Sequence, residues 1–144
     1  MPNDNATNIE SNPGTKIIKG KKVGKGTYGV VYYGVSNSNE KVAVKRNLVD
    51  TNTDFIGSLR EMDLLIRLKG HPNIVELKNV SFGSPFNNIM SPVREKYCRD
   101  DSVHFVFENA ECDGLQFIYY RKVTYLQCKV AMMQILLGME YMHA

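Results

Sequence analysis

Val23-Gly24-Lys25-Gly26-Thr27-Tyr28-Gly29-Val30-Val31-Tyr32 sets three glycines in the pattern G-x-G-x-x-G. Glycines so spaced occur in dinucleotide sites, in lids over nucleotides and in plain tight turns, and the flanking residues discriminate among them. A dinucleotide fingerprint needs its glycines between a strand and a helix. Here they run straight into Val30-Val31-Tyr32-Tyr33, a β-branched and aromatic run that favours strand. The phosphate-loop pattern G-x-x-x-x-G-K-[ST] is absent from the sequence. What remains is a strand, a glycine loop and a second strand, which together make a hairpin.

The chain around this hairpin has 144 residues, 43% of them hydrophobic and 23% charged, which suits one soluble core. A net charge of +3 fits a small anionic ligand and does not argue for nucleic acid. Lys16, Lys19, Lys21 and Lys22 precede the glycines without interleaved aromatics, so they read as a solvated strand edge. Cys98, Cys112 and Cys128 are too few and too irregular for a disulfide framework or a zinc site. Together with an N-terminus lacking an apolar leader, they point to an intracellular compartment, cytoplasmic or nuclear. Gln134, Gly138 and Glu140 interrupt the apolar stretch at 130–142, which argues against a membrane span.

Residues 1–15 are Asn, Ser, Pro and Gly with little to bury, and read as a disordered tail. Segments 16–24, 30–35 and 41–46 then read as three strands of a meander, with Ser36-Asn37-Ser38-Asn39 as a connecting loop. Phe55, Leu59, Met62 and Ile66 form one apolar stripe of a helix, which Gly70 and His71-Pro72 terminate. Two further strands follow at 74–80 and 103–108, separated by a long polar insertion over 81–102. Thr124-Tyr125-Leu126-Gln127 reads as a capping box opening a last helix, striped by Leu126, Val130, Met133, Leu137 and Tyr141.

Val42-Ala43-Val44-Lys45 places a lysine near the end of a strand, and Glu61 follows on the next helix. Then come His71-Pro72-Asn73-Ile74-Val75 and Val106-Phe107-Glu108. Glycine lid, strand Ala-x-Lys and helix Glu in this order resemble the N-terminal lobe of the eukaryotic protein kinases. The resemblance covers residues 17–144, and GKGTYGVVY, LREMDLL and HPNIVEL are most similar to cyclin-dependent and related serine/threonine kinases. It implies an α+β fold: a five-stranded antiparallel sheet with one regulatory helix, plus the first helices of an incomplete C-terminal lobe. The implied division is a tail over 1–15, an ATP-binding lobe over 16–110, and a hinge with the start of the second lobe over 111–144.

The resemblance also implies a site. The lid, with Val23 at the adenine rim and then Gly24, Lys25, Gly26, Thr27, Tyr28, Gly29 and Val30, would cover the nucleotide, since glycine lets backbone amides approach the phosphates without a Cβ. Lys45 would hold the α- and β-phosphates, with Glu61 as its ion-pair partner. Val31 and Ala43 match the residues above the adenine ring, and Val75 its back. Phe107 would close the pocket depth, Glu108 and Ala110 would offer backbone groups to the adenine edge, and Asp113 would meet the ribose. Three rivals stay open. Ser58-Leu59-Arg60-Glu61 also reads as a capping box, which would tie Glu61 to its own helix. Cys112-Asp113-Gly114 also reads as a turn, and Thr27 and Tyr28 are either phosphorylation sites or simple lid residues.

Magnesium is expected with the nucleotide, but no metal ligand is assigned in the chain. The family's H-R-D and D-F-G segments are expected after the last helix and are not found in these residues. Two function classes follow from the sequence. One is a truncated kinase lobe that binds ATP without transferring phosphate by itself. The other is a pseudokinase-like module regulating a kinase or a cyclin-like partner. The expected partners are ATP and a protein, either one carrying the missing lobe or a cyclin-like regulator, with no nucleic acid and no membrane. Without such a partner, the apolar stripe of the last helix leaves the chain marginal and adhesive.

Overall fold

A computed structural model describes residues 7–12, 15–27, 29–82, 102–120 and 122–144. Tyr28 and most of the expected 81–102 insertion lie outside these described residues. The elements in chain order are β1 (Thr7–Asn12), β2 (Thr15–Gly26), β3 (Gly29–Ser36), β4 (Lys41–Leu48), α1 (Asn52–Arg67), β5 (Leu77–Phe82), β6 (Ser102–Glu108), α2 (Gly114–Tyr120) and α3 (Tyr125–His143). The strands form one antiparallel sheet in the order β1-β2-β3-β4-β6-β5.

Five of these strands are the expected ones. The sixth, β1, corrects the reading of a disordered tail over Thr7–Asn12, the remainder of 1–14 lying outside the described residues. It pairs with β2 from Thr7↔Lys19 to Asn12↔Thr15. The tail reading rested on the scarcity of apolar side chains, whereas a strand ladder is held by main-chain donors and acceptors that every such segment possesses.

Alternation along β4 divides the interior in two. Val42, Val44 and Arg46 face one side of the sheet, and Ala43, Lys45 and Asn47 face the other. On the first side Ile17, Val42, Val44 and Val106 are buried together, with Tyr32 packed against them. On the second side Leu77, Val103 and Phe105 form a cluster with Met62 and Leu65 of α1. Each such side chain removed from water contributes roughly 1.5–3 kcal/mol. The ladder between β2 and β3 shifts register between Lys19 and Lys22 and again before Gly24. Such irregularities bend and twist a sheet, and here the two edge strands, β1 and β5, approach each other.

Helix α1 begins earlier than its apolar stripe. Thr51 is its N-cap: the hydroxyl accepts from Asp54 N–H at 3.2 Å, while Thr51 N–H donates to the Asp54 carboxylate at 2.9 Å. The Ser58–Glu61 capping box is therefore not formed, because both residues sit inside the helix. The packed face also differs from the expected one. Ser58 is buried and Met62 and Leu65 meet the core, whereas Phe55 and Ile66 are 42% and 57% exposed. The helix stops as expected, with Gly70 at φ +100, a left-handed conformation that favours glycine.

At the other end, Thr124 caps α3 as its sequence predicts: Thr124 Oγ1 accepts from Gln127 N–H and Gln127 Oε1 accepts from Thr124 N–H. The helix meets the segment after α1 through Gly138, where an added Cβ would lie 3.2 Å from the Asn73 carbonyl, and through stacked His71 and Tyr141 rings 4.7 Å apart. The rest of its stripe, including Leu126 and Met133, is exposed. No described helix is long and apolar enough to cross a membrane.

His104 on β6 is buried on the first side of the sheet. Desolvation, with repulsion from Lys19 and Arg46, pushes its pKa from the ordinary 6.5 down to about 3. The unfolded chain thus binds a proton below pH 6.5 that the folded chain refuses until about pH 3. Stability from this group is complete above the upper value and is lost as pH falls between the two. Urea unfolding at pH 7.0, 6.0 and 5.0 should show His104→Gln losing less stability than the parent, the difference approaching about 1.4 kcal/mol per pH unit.

Candidate nucleotide-binding site

Two elements meet at the centre of the second side of the sheet. Strand β4 presents Lys45, and α1 presents Glu61 across from it. Lys45 Nζ donates to Glu61 Oε1 at 2.5 Å. Both side chains keep partial access to water, at 26% and 32%. The Phe105 ring lies beside the ammonium, 5.8 Å from Nζ to its centroid. This is the geometry the helix rival for Glu61 would have prevented.

Strand register places Gly24, Gly26 and Val31 of the glycine hairpin on the same side. Its ladder runs Gly24↔Val31, Lys25↔Val30 and Gly26↔Gly29. Val31 in turn pairs with Lys45, so the hairpin's returning strand is registered directly against the lysine. The three glycines differ physically. A Cβ on Gly29 would sit 2.2 Å from the Arg46 carbonyl oxygen, so this glycine is required by the close approach of β3 to β4. Gly24 and Gly26 have nothing within 4 Å of an added Cβ. At these two positions a side chain would meet open space, so packing against the described residues does not account for the glycines.

Among the remaining expected residues, Ala43 pairs with Phe107 and shares the side of Lys45 and Val31. Phe107 packs against the Leu77–Phe105 cluster and stacks on Phe105 at 6.2 Å, so it is also a core aromatic. Val30 pairs with Arg46, so its side chain lies on the opposite side of the sheet from Lys45. Val23 is 70% exposed at the rim, and Lys25 and Thr27 are exposed on the hairpin. Val75 is half exposed. Glu108 N–H donates to the Glu76 carbonyl at 3.1 Å, and its carboxylate accepts from Glu76 N–H at 2.8 Å, which fixes the chain where it leaves the sheet. Ala110 follows in an exposed stretch. Asp113 accepts from Gln116 N–H at 2.7 Å and so caps α2, the local role its sequence left open.

Two residues were missed by sequence reasoning. Asn47 Nδ2 donates to Glu61 Oε2 at 3.1 Å and to Ser58 Oγ at 3.3 Å. Asn47 lies two residues after Lys45 on the strand, and Ser58 three before Glu61 on the helix, so both periodicities would have flagged them. Among the described residues no group of three or more His, Cys, Asp or Glu side chains is placed to hold a metal.

The model of the protein kinase domain matches residues 17–144. The chain belongs to the protein kinase family. Relatives of this kinase lobe include mitogen-activated protein kinase 4 of Oryza sativa, 33% identical over 90% of the chain and 33% of the relative. Cyclin-dependent kinase 10 of Mus musculus is 37% identical over 85% of the chain and 31% of the relative. Mitogen-activated protein kinase 14 of Arabidopsis thaliana is 33% identical over 90% and 34%. The chain spans about a third of the length of these curated relatives.

The glycines supply a direct check on this kinase lobe. Gly29→Ala should lower stability by about 1–3 kcal/mol through overpacking against β4. Gly24→Ala and Gly26→Ala should each stay within about 0.5 kcal/mol of the parent, as at sites away from packed features. Urea denaturation of the three variants measures the difference.

Proposed function

We propose that this lobe grips ATP as the nucleotide-binding part of a serine/threonine-type protein kinase. The observation that carries the reading is the Lys45–Glu61 pair, set on the side of the sheet where strand register places Gly24 and Gly26. Lys45 would hold the α- and β-phosphates while Glu61 fixes the ammonium. Amides of the 24–29 loop would meet the phosphate oxygens. Val31, Ala43 and Phe107, which share a side, would flank the adenine, with the Glu108 carbonyl and the Ala110 amide at its edge. Asp113 is committed to capping α2 through Oδ1, so a ribose contact falls to its second carboxylate oxygen. Bound ATP with magnesium would supply the transferable phosphoryl group. The role assigned to these 144 residues is gripping it, and transfer would call on aspartates of the H-R-D and D-F-G segments.

A second reading is favoured by the outward surface of α1. Phe55, Ile56, Leu64 and Ile66 are all 42–58% exposed, a surface suited to a protein partner. On that reading the chain is a pseudokinase-like module whose helix meets a cyclin-like regulator or another kinase.

Titration with a fluorescent ATP analogue separates the two. Binding should occur in the parent and fall by more than about tenfold in Lys45→Met, as for a charge-assisted contact. Saturating ATP should raise the parent's stability by about 2.7 kcal/mol at a hundred times the dissociation constant. Absence of any thermal shift at millimolar ATP overturns the nucleotide reading and leaves the module.

A further inference from the structure

The ion pair accounts for one oxygen of the Glu61 carboxylate. Its other oxygen is held by a residue outside the lysine-glutamate pair. Asn47 is 4% exposed, sits on the same side of β4 as Lys45, and gives one amide nitrogen to two acceptors on α1. Those acceptors, Ser58 and Glu61, lie three residues apart and therefore on one face of the helix. Ser58 is likewise 4% exposed. An ionised carboxylate only accepts, so the nitrogen must be the end of the Asn47 amide that faces Glu61. The amide oxygen is then directed elsewhere, and an added Cβ on Gly29 would lie 3.2 Å from it. Asn47 thus stands between the foot of the glycine hairpin and the helix that carries Glu61.

From this juxtaposition we propose that Asn47 is a positioning residue, a polar latch that holds α1 and the Glu61 carboxylate in the lysine-engaged arrangement. The inference rests on the nucleotide-grip reading for its consequence, though not for its geometry. A carboxylate held at one oxygen alone can swing about that contact. Held at both, by Lys45 on Oε1 and Asn47 on Oε2, its plane is fixed and so is the ammonium it orients. The burial of Asn47 and Ser58 makes the arrangement selective. A helix displaced from the sheet would leave two buried polar groups without these bonds, and such groups are costly to strand. The latch therefore favours the engaged position of α1 over a withdrawn one before any nucleotide arrives.

Amide hydrogen exchange and titration with a fluorescent ATP analogue, both on the full chain, test the latch. Asn47→Leu keeps the volume and removes the donors. It should speed exchange over 52–67 while leaving β4 and β6 protected, and weaken the analogue roughly tenfold, the scale of a hydrogen bond to a charged group. The double variant Asn47→Leu with Ser58→Ala removes both buried polar partners, so its urea midpoint should stay near the parent's while affinity remains reduced. A purely structural role predicts instead that affinity and midpoint fall together. Should Asn47→Leu fail to fold, a double-mutant cycle of Asn47→Ala and Glu61→Ala, read by exchange in α1, decides the question. Non-additivity supports the latch, and additive effects overturn it. Unchanged α1 exchange and affinity within about twofold of the parent in Asn47→Leu also overturn it, since that is well below the effect of a lost charged hydrogen bond. A parent chain that binds no analogue overturns the nucleotide reading alone, because the exchange cycle still decides the latch.

Discussion

The Lys45–Glu61 ion pair joins β4, on the second side of the sheet, to helix α1. Opposite charges at partial exposure, 26% and 32%, are screened by water and contribute modestly to net stability. Their importance is geometric. For Glu61 to reach β4, α1 must turn the face containing Ser58, Glu61, Met62 and Leu65 toward the sheet. That choice sends Phe55, Ile56, Leu64 and Ile66 outward.

Strand β4 makes this arrangement possible by serving two interiors at once. Val42 and Val44 anchor one cluster while Lys45 and Asn47, on alternate positions, face α1. The pleat therefore converts the six-residue run Val42–Asn47 into a floor on one side and a charged site on the other. Gly29 belongs to the same device. Its lack of a Cβ lets β3 lie close against Arg46, and this registers Val31 opposite Lys45. The glycine pattern thus mixes two settings, close strand packing at its third position and open space at its first two.

Much of this was legible in the residues. The hairpin after the glycines, the Lys45-bearing strand and the Thr124–Gln127 box depend on local rules, and the fold obeys them. The Thr51–Asp54 cap of α1 goes unread because both residues lie ahead of the first apolar residue, where hydrophobic periodicity is silent. Of the stripe Phe55, Leu59, Met62 and Ile66, Met62 meets the core while Phe55 and Ile66 are exposed, because the packed face is turned toward Ser58, Glu61 and Leu65, where an ion pair and buried polar side chains add to apolar contact. Strand β1 was lost because its stabilisation is main-chain pairing, which composition does not record. Asn47 was legible in principle, two residues beyond Lys45, but only once a strand and a helix were read together.

The central claim is that Lys45 is held by Glu61 as the phosphate-facing amine of an ATP site. An acyl phosphate of ATP transfers its acyl group to a nearby lysine nitrogen, forming an amide and releasing ATP. Mass spectrometry of tryptic peptides after brief labelling reads which of the chain's lysines reacted. The account predicts preferential acylation at Lys45, suppressed by excess ATP and reduced in Glu61→Ala. Labelling spread evenly over exposed lysines and insensitive to ATP would contradict it.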